Sequence, residues 1–381
     1  MSSLFASRHA HSDPWSTQPL IGVAAEYSSN PVLVVTQAQS ETSAALSVES
    51  PVNYDAHDFH FAAIPRLRYS NQSGYSAVTS DYYHLDSSAQ FTNALGALNF
   101  AGALYRDSSL LYAGGLENGI GVRRDTSLAD VNWQRSLTER FQVQFDLSTS
   151  RVLFGQSARN TGLVDYRYTS FSPAIAYLVN ERDTFRILGG VSRYYSLDGA
   201  TSSDTDNLQL GYDHKLTELW TVSATAGYAK SNNQIEYFYL GRPLGTVKST
   251  LNTGIYSANL THQGQSLAVT FGVSRALTPI GLAVLARVDS LNLQLNYTAS
   301  ERWSYGASLV WQAISEPVAG GGSLERHYYN GGVSTIWHWT EQWLVTLSAS
   351  RVQQTYAQPT LSAASTGVSI QISKQFYRTN N

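Results

Sequence analysis

The chain has 381 residues, of which 43% are hydrophobic and only 14% are charged, and its formal net charge is −3. The slight negative charge argues against a protein built to bind nucleic acid. The absence of cysteine excludes disulfides and thiolate metal sites. No run approaches the roughly 20 apolar residues that a membrane-spanning helix requires. Low charge combined with 24 Tyr and 8 Trp is instead typical of a membrane β-barrel.

Residues 1–19 show neither a regular pattern nor the apolar core of a signal peptide, so we predict a disordered lead-in. From residue 20 to residue 376, apolar and polar residues alternate almost without interruption. Side chains of a strand point alternately to opposite faces, so each segment has one apolar and one polar face. The pattern predicts an all-β fold, a transmembrane antiparallel up-and-down β-barrel of about 18 strands, followed by a short tail at residues 377–381.

Two kinds of connection alternate along the barrel. Short turns at residues 137–141, 180–183, 216–220, 300–303 and 340–343 each lead to an aromatic residue at or near the start of the next strand. Longer connections lie at residues 30–41, 70–82, 107–121, 198–204, 231–246, 316–324 and 354–364. In transmembrane barrels the short turns face the periplasm. We therefore predict an outer-membrane protein with both termini in the periplasm.

A soluble all-β protein, such as a propeller or a pair of sandwiches, is the alternative architecture. Its apolar face would form a core, where Leu, Ile, Val and Phe should dominate. Here that face is rich in Tyr and Trp at the strand ends, and the polar face is largely uncharged. The pattern favours lipid outside the sheet and water inside it.

Charged residues on the polar faces are candidates for lining the lumen and setting solute preference. These candidates are Glu49, Arg66, Arg68, Asp130, Asp146 and Asp213. The alternative is that they form solvated ion pairs that only brace the wall.

Large aromatic residues cluster beside the short turns and predict a girdle at the periplasmic membrane interface. Its members are Trp133, Phe141, Trp220, Trp303, Trp339 and Trp343, while Trp311 marks the opposite interface.

A hydrolase would need a serine and a base within hydrogen-bond distance. Nine histidines are present, among them His57 and His60 near the start of one strand and His338 between two tryptophans, but none forms a recognisable catalytic pattern. The acidic stretch at residues 198–207 lacks the spacing of a calcium loop. We predict no enzyme, no metal site and no cofactor.

Three stretches resemble a large family of outer-membrane β-barrel porins: VAAEYSSNP at residues 23–31, GLVDYR at 162–167 and ASERWSY at 299–305. The resemblance covers residues 20–376. Members of this family often belong to exopolysaccharide or exosortase gene clusters. The resemblance implies a polysaccharide export pore with a periplasmic polysaccharide-export protein as partner, and it supplies no catalytic motif. Residues 367–376 resemble the C-terminal signal that the barrel-assembly machinery recognises.

Three functions follow as hypotheses. The first is a channel in the lipid bilayer for hydrophilic solutes, including an exopolysaccharide. The second is a non-conducting scaffold that docks a periplasmic or surface partner. The third is an outer-membrane hydrolase.

Overall fold

The computed structural model describes residues 14–31, 33, 35–73, 81–108, 123–155, 163–239, 242–279, 285–317, 323–357 and 361–376. These residues form β-strands joined by turns, and none of them is helical. No described segment is a helix long and apolar enough to cross a membrane.

Twenty strands make up the described chain. They are β1 (Trp15–Thr17), β2 (Leu20–Ser28), β3 (Glu41–Glu49), β4 (Val52–Asp55), β5 (Phe59–Ser73), β6 (Asp81–Asn93), β7 (Gly96–Ser108), β8 (Arg123–Ser136), β9 (Phe141–Phe154), β10 (Tyr166–Leu178), β11 (Asp183–Ser196), β12 (Thr201–Lys215), β13 (Trp220–Tyr239), β14 (Arg242–Gln263), β15 (Leu267–Pro279), β16 (Leu285–Ser300), β17 (Trp303–Pro317), β18 (Ser323–His338), β19 (Trp343–Tyr356) and β20 (Leu361–Gln375).

The sheet closes on itself. Each barrel strand pairs in antiparallel fashion with its sequence neighbours, and β2 pairs with β20 from Leu20↔Gln375 to Ser28↔Gly367. Eighteen strands form the wall, which confirms the predicted fold class and strand count. Closure gives every wall strand a neighbour on both sides, which an open sheet in lipid could not do.

The two remaining strands, β1 and β4, extend the first hairpin at the end with the short turns. β1 pairs with β4, and β4 pairs with the start of β5. Pro19 and Pro51 separate these extensions from β2 and β3, because proline has no N–H for the ladder. The structure therefore differs from the predicted lead-in at Trp15–Thr17, where the free edge of β4 gives this segment a partner. Residues 1–13 and 377–381 lie outside the described residues.

The polar phase of the strands faces the barrel interior. Tyr194, Ser196 and Ser231 are almost completely buried, and all three lie on that phase. A single closed sheet can cover side chains only on its concave side. The opposite phase carries large exposed apolar residues around the barrel, such as Leu67 and Leu210, and is the outer face.

Short turns owe their shape to a repeated side-chain bond. Thr217 Oγ1 accepts hydrogen bonds from the backbone N–H groups of Leu219 and Trp220, at 3.2 and 3.1 Å. Thr138 and Thr340 make the same pair of bonds before Phe141 and Trp343. Such a hydroxyl replaces the missing strand partner of the turn N–H groups. The Thr-x-x-aromatic spacing thus encodes these hairpin turns.

Two predicted loops are largely strand. β13 runs to Tyr239 and β14 begins at Arg242, so most of residues 231–246 belong to one long hairpin. Likewise β12 begins at Thr201, inside the predicted loop 198–204. Residues 198–204 and 231–234 are mainly polar on both faces, and Tyr237, Phe238 and Tyr239 are consecutive aromatic residues, so these segments lack the alternation from which the strands were predicted. The predicted loop 107–121 lies mostly outside the described residues.

Gly227 is required where β13 passes close to β12. A Cβ at this position would lie 2.1 Å from the Leu208 carbonyl oxygen, which belongs to the backbone and cannot rotate away. We expect Gly227→Ala to destabilise the barrel by about 1–3 kcal/mol, as overpacking does. Gly254→Ala on β14 is the control, because its Cβ would have no neighbour nearer than 4.0 Å. Urea unfolding in lipid vesicles measures both variants, and equal midpoints would contradict the expectation.

Candidate functional site

Half of the interior wall is uncharged. On β13–β20 the inward positions carry mainly Ser, Thr, Asn and Gln, and among the side chains that the structure describes there Arg326 alone is charged. Arg326 lies near the mouth with the long loops and is buried. A long strip of hydroxyl and amide groups therefore faces the lumen without a fixed charge at mid-height.

Neighbouring hydroxyls on this wall bond to one another across the strands. The hydroxyl oxygens of Ser274 and Ser290 lie 2.7 Å apart, and those of Ser348 and Ser369 lie 2.6 Å apart. The hydroxyl oxygens of Thr225 and Ser257 lie 2.8 Å apart. Each hydroxyl can make further bonds, since it has one donor and two acceptor sites. The strip can thus exchange hydrogen bonds with a passing solute that is itself rich in hydroxyls.

The lumen is accessible on this side. Asn292, Gln294 and Asn296 on β16 point inward and are exposed, although the sheet surrounds them. Barrels of 16–18 strands are too wide for their own side chains to fill. An aqueous path through the barrel requires solvent-exposed side chains on the inner wall, and these three amides meet that requirement.

The other half of the wall carries the charges. Arg66 on β5 binds Glu49 through Nε at 2.9 Å and Asp86 through Nη1 at 2.6 Å. Arg68 forms an ion pair with Glu26 on β2, reaching past β3. The two arginines are thus matched by three carboxylates, so they leave no net positive charge in this region.

Asp130, Asp146 and Asp213 also lie on the inward phase but differ in their partners. Asp213 pairs with Arg186 at 2.8 Å. Asp146 accepts hydrogen bonds from Asn132 and Gln144, which carry no charge. Asp130 has no hydrogen-bond partner among the described residues. Asp130 and Asp146 therefore leave net negative charge on the wall, while Asp213 is neutralised. Whether these residues set solute preference stays a prediction.

A small apolar cluster crosses the mouth with the long loops. Leu285, the first residue of β16, packs with Val152, Tyr166 and Tyr194 of β9, β10 and β11. Four strands separate β11 from β16 along the wall. At about 4.8 Å between neighbouring strands, that is roughly 24 Å of wall. Their side chains can meet only across the interior, so the start of β16 narrows the mouth.

The seven predicted girdle residues lie on or beside the outer face. Phe141 packs on Tyr177 with ring centroids 4.9 Å apart, and Trp220 packs on His262 at 4.4 Å. Trp303 stacks on Trp337, which stacks in turn on Trp339 just after β18. Trp133 stacks on Phe145, and the Lys374 ammonium lies over the Trp343 ring. Trp311 follows Trp303 by eight residues on β17 and therefore lies nearer the opposite end of the barrel. Their position at a membrane interface stays a prediction.

The histidines do not form a hydrolase site among the described residues. The imidazoles of His60, His84 and His214 each contact a carboxylate, of Asp55, Asp86 and Asp183 respectively. No described histidine hydrogen-bonds a serine, so the nucleophile–base pair of a serine hydrolase does not occur there.

No protein-family model and no curated protein matches this sequence. Several solved structures are similar over nearly its whole length. Acinetobacter baumannii OccAB2 is 9% identical, with 96% of this chain and 98% of that chain covered and a TM-score of 0.48. Pseudomonas aeruginosa OpdQ is 9% identical, with 96% and 99% covered and a TM-score of 0.47. Pseudomonas aeruginosa OccK2 (OpdF) in complex with glucuronate is 9% identical, with 96% and 98% covered and a TM-score of 0.43. At this distance no residue role carries over to this chain.

Sequence patterns missed two groups of residues at this site. Glu26, Asp86 and Arg186 lie on polar phases as the predicted candidates do, and only the pairing of strands reveals them as ion-pair partners. Leu285 was missed for another reason, since its strand-end position gives no sign of a contact across the barrel.

Proposed function

We propose that this protein is an outer-membrane channel for hydrophilic solutes, whose uncharged half-wall is the path for neutral sugars. The observation that carries the proposal is the exposed inward strip of hydroxyl and amide groups on β13–β20. Such groups bind a sugar weakly and reversibly, which permits sliding. Export of an exopolysaccharide, with a periplasmic export protein docking at the short turns, is the finer form of the proposal.

The outer face supports insertion into a membrane. Leu67, Leu210 and Val333, on different sides of the barrel, are 60%, 66% and 60% exposed. A soluble monomer rarely exposes a continuous apolar surface of this extent. A lipid bilayer covers such a surface, and the outer membrane is where transmembrane barrels of bacteria lie. The final strand is then the segment that the barrel-assembly machinery would recognise.

Vesicles containing the refolded barrel test the proposal. Swelling in solutions of neutral sugars of increasing size should show uptake up to a size limit, and empty vesicles are the control. A planar bilayer should show stepwise conductance with the same preparation. Absence of both uptake and conductance would favour the non-conducting scaffold, for which the apolar cluster at the mouth is the supporting observation.

Ion selectivity gives a second test. Because carboxylates outnumber arginines on the charged half-wall, we expect a weak preference for cations. The double variant Asp130→Asn, Asp146→Asn should abolish most of this preference, while Asp213→Asn should change it less, because it removes one negative charge from the wall instead of two. Reversal potentials across a KCl gradient near 0.1 M measure the effect, where the Debye length is about 10 Å. Anion preference in the unmodified barrel would contradict this expectation.

A further inference from the structure

Two arginines face each other on the outer surface. Arg151 on β9 and Arg167 on β10 are direct cross-strand partners. They continue the apolar phase of their strands, after Phe145 and Leu147 on β9 and before Phe171 on β10. Both side chains are exposed, and both point away from the lumen. This is the phase that would contact lipid in the proposed function.

Their height places them at the end of the apolar band. Arg151 lies ten residues from Phe141, which begins β9 beside a short turn. At a rise of about 3.3 Å per residue and a tilt of about 40°, this is roughly 25 Å along the barrel axis. The apolar band of an outer-membrane barrel is also about 25 Å tall. The pair therefore lies where the headgroups of the outer leaflet begin.

The pair lacks a carboxylate partner in the described structure. Arg167 Nη1 donates to the Tyr195 hydroxyl at 3.3 Å, and Arg151 has no hydrogen-bond partner in the described ranges. Asp165, two residues before Arg167, accepts instead a bond from the backbone N–H of Phe154 at 2.7 Å. Like charges directly opposite one another in a sheet are destabilising. An anion between the two guanidinium groups would reverse the sign of that interaction.

At two other places on the outer face the barrel supplies the anion itself. Arg106 pairs with Asp125 at 2.6 Å and lies over the Tyr83 ring. Arg275 pairs with Asp289 at 2.5 Å and lies over the Tyr256 ring in the same way. In both triplets Tyr, Arg and Asp occupy facing positions on three successive strands. The facing arginines of β9 and β10 depart from this neutralised arrangement.

We propose that Arg151 and Arg167 bind a phosphomonoester headgroup of an outer-leaflet glycolipid of the lipid A type. Two guanidinium groups can bracket one phosphate with parallel, charge-assisted hydrogen bonds. The apolar side chains below them lie where the acyl chains would pack. This inference rests on the proposed outer-membrane location, but it does not depend on whether the barrel conducts.

Native mass spectrometry of the refolded barrel in detergent tests the inference, with bisphosphorylated lipid A as probe. The unmodified protein should retain one lipid A in preference to phosphatidylethanolamine. The variant Arg151→Gln, Arg167→Gln should bind lipid A about tenfold or more weakly, since it loses the charge-assisted hydrogen bonds to the phosphate. Arg351→Gln is the matched control. Arg351 is an exposed outward arginine on β19, eight residues from the start of that strand, and it faces Thr366 and Gly331 rather than another arginine.

Thermal unfolding separates a lost site from a damaged fold. Without lipid A, either single variant, Arg151→Gln or Arg167→Gln, should unfold at a slightly higher temperature, because repulsion is relieved. With lipid A, the unmodified barrel should gain more stability than either variant. Unchanged lipid A binding in the single and double variants would overturn the proposal. If inorganic phosphate binds the barrel as strongly as lipid A does, the proposal is also overturned, since the site would then bind free phosphate. A barrel that does not insert into vesicles at all contradicts the proposed function instead.

Discussion

Leu293→Arg should destabilise the barrel in a bilayer by about 2–4 kcal/mol, whereas Asn292→Arg, one residue away, should be tolerated. Leu293 faces outward between Phe271 of β15 and Leu309 of β17. An arginine there would place a charge against lipid acyl chains. Asn292 points into the lumen beside Gly272, where water can solvate the added charge.

The two variants form a matched pair, because they add the same side chain to the same strand at nearly the same height. Urea unfolding in vesicles, followed by tryptophan fluorescence, measures the difference in free energy of unfolding. Asn292→Arg should also shift the ion selectivity toward anions, which Leu293→Arg should not do. Equal destabilisation by the two substitutions would show that the assignment of inner and outer faces is wrong.

Leu285→Ala should open the mouth of the barrel and raise its conductance. Leu285 is 1% exposed and packs across the interior on Tyr194, which is fully buried. Replacing a buried leucine by alanine costs about 2–5 kcal/mol of packing, several times thermal energy. The start of β16 should then leave the mouth part of the time, and conductance is limited by the narrowest segment of a pore.

Single-channel recording in planar bilayers measures this effect as a larger conductance or a longer open time. Leu267→Ala is the control, because Leu267 begins β15 on the outer face at the opposite end of the barrel. If Leu285→Ala conducts as the unmodified barrel does, the cluster is not the constriction. If neither conducts, the scaffold function is favoured over the channel.

The alternation of apolar and polar residues was enough to predict the class of fold, the number of wall strands and the face of each strand. Alternation has a period of two, and a barrel strand in lipid must keep one apolar face, so Leu291, Leu293 and Leu295 identify the outer face of β16 without any tertiary information. The short turns could be predicted equally well, since Thr217 and its equivalents accept hydrogen bonds only from residues of their own turns. Local rules suffice wherever the determining contacts are local.

Tertiary structure decided the partners. Arg66 and Asp213 were recognisable as inward charges, but which carboxylates or arginines neutralise them depends on strand register, and alternation does not specify register. The extension of β13 and β14 could not be predicted, because a strand outside lipid needs no apolar face and this segment therefore does not alternate. The contact of Leu285 with Tyr194 and the facing of Arg151 and Arg167 follow from closure and pairing of the sheet. Leu285 and Tyr194 lie far apart in the chain, so only the closed sheet defines their proximity, whereas Arg151 and Arg167 belong to one hairpin and face each other because of its register.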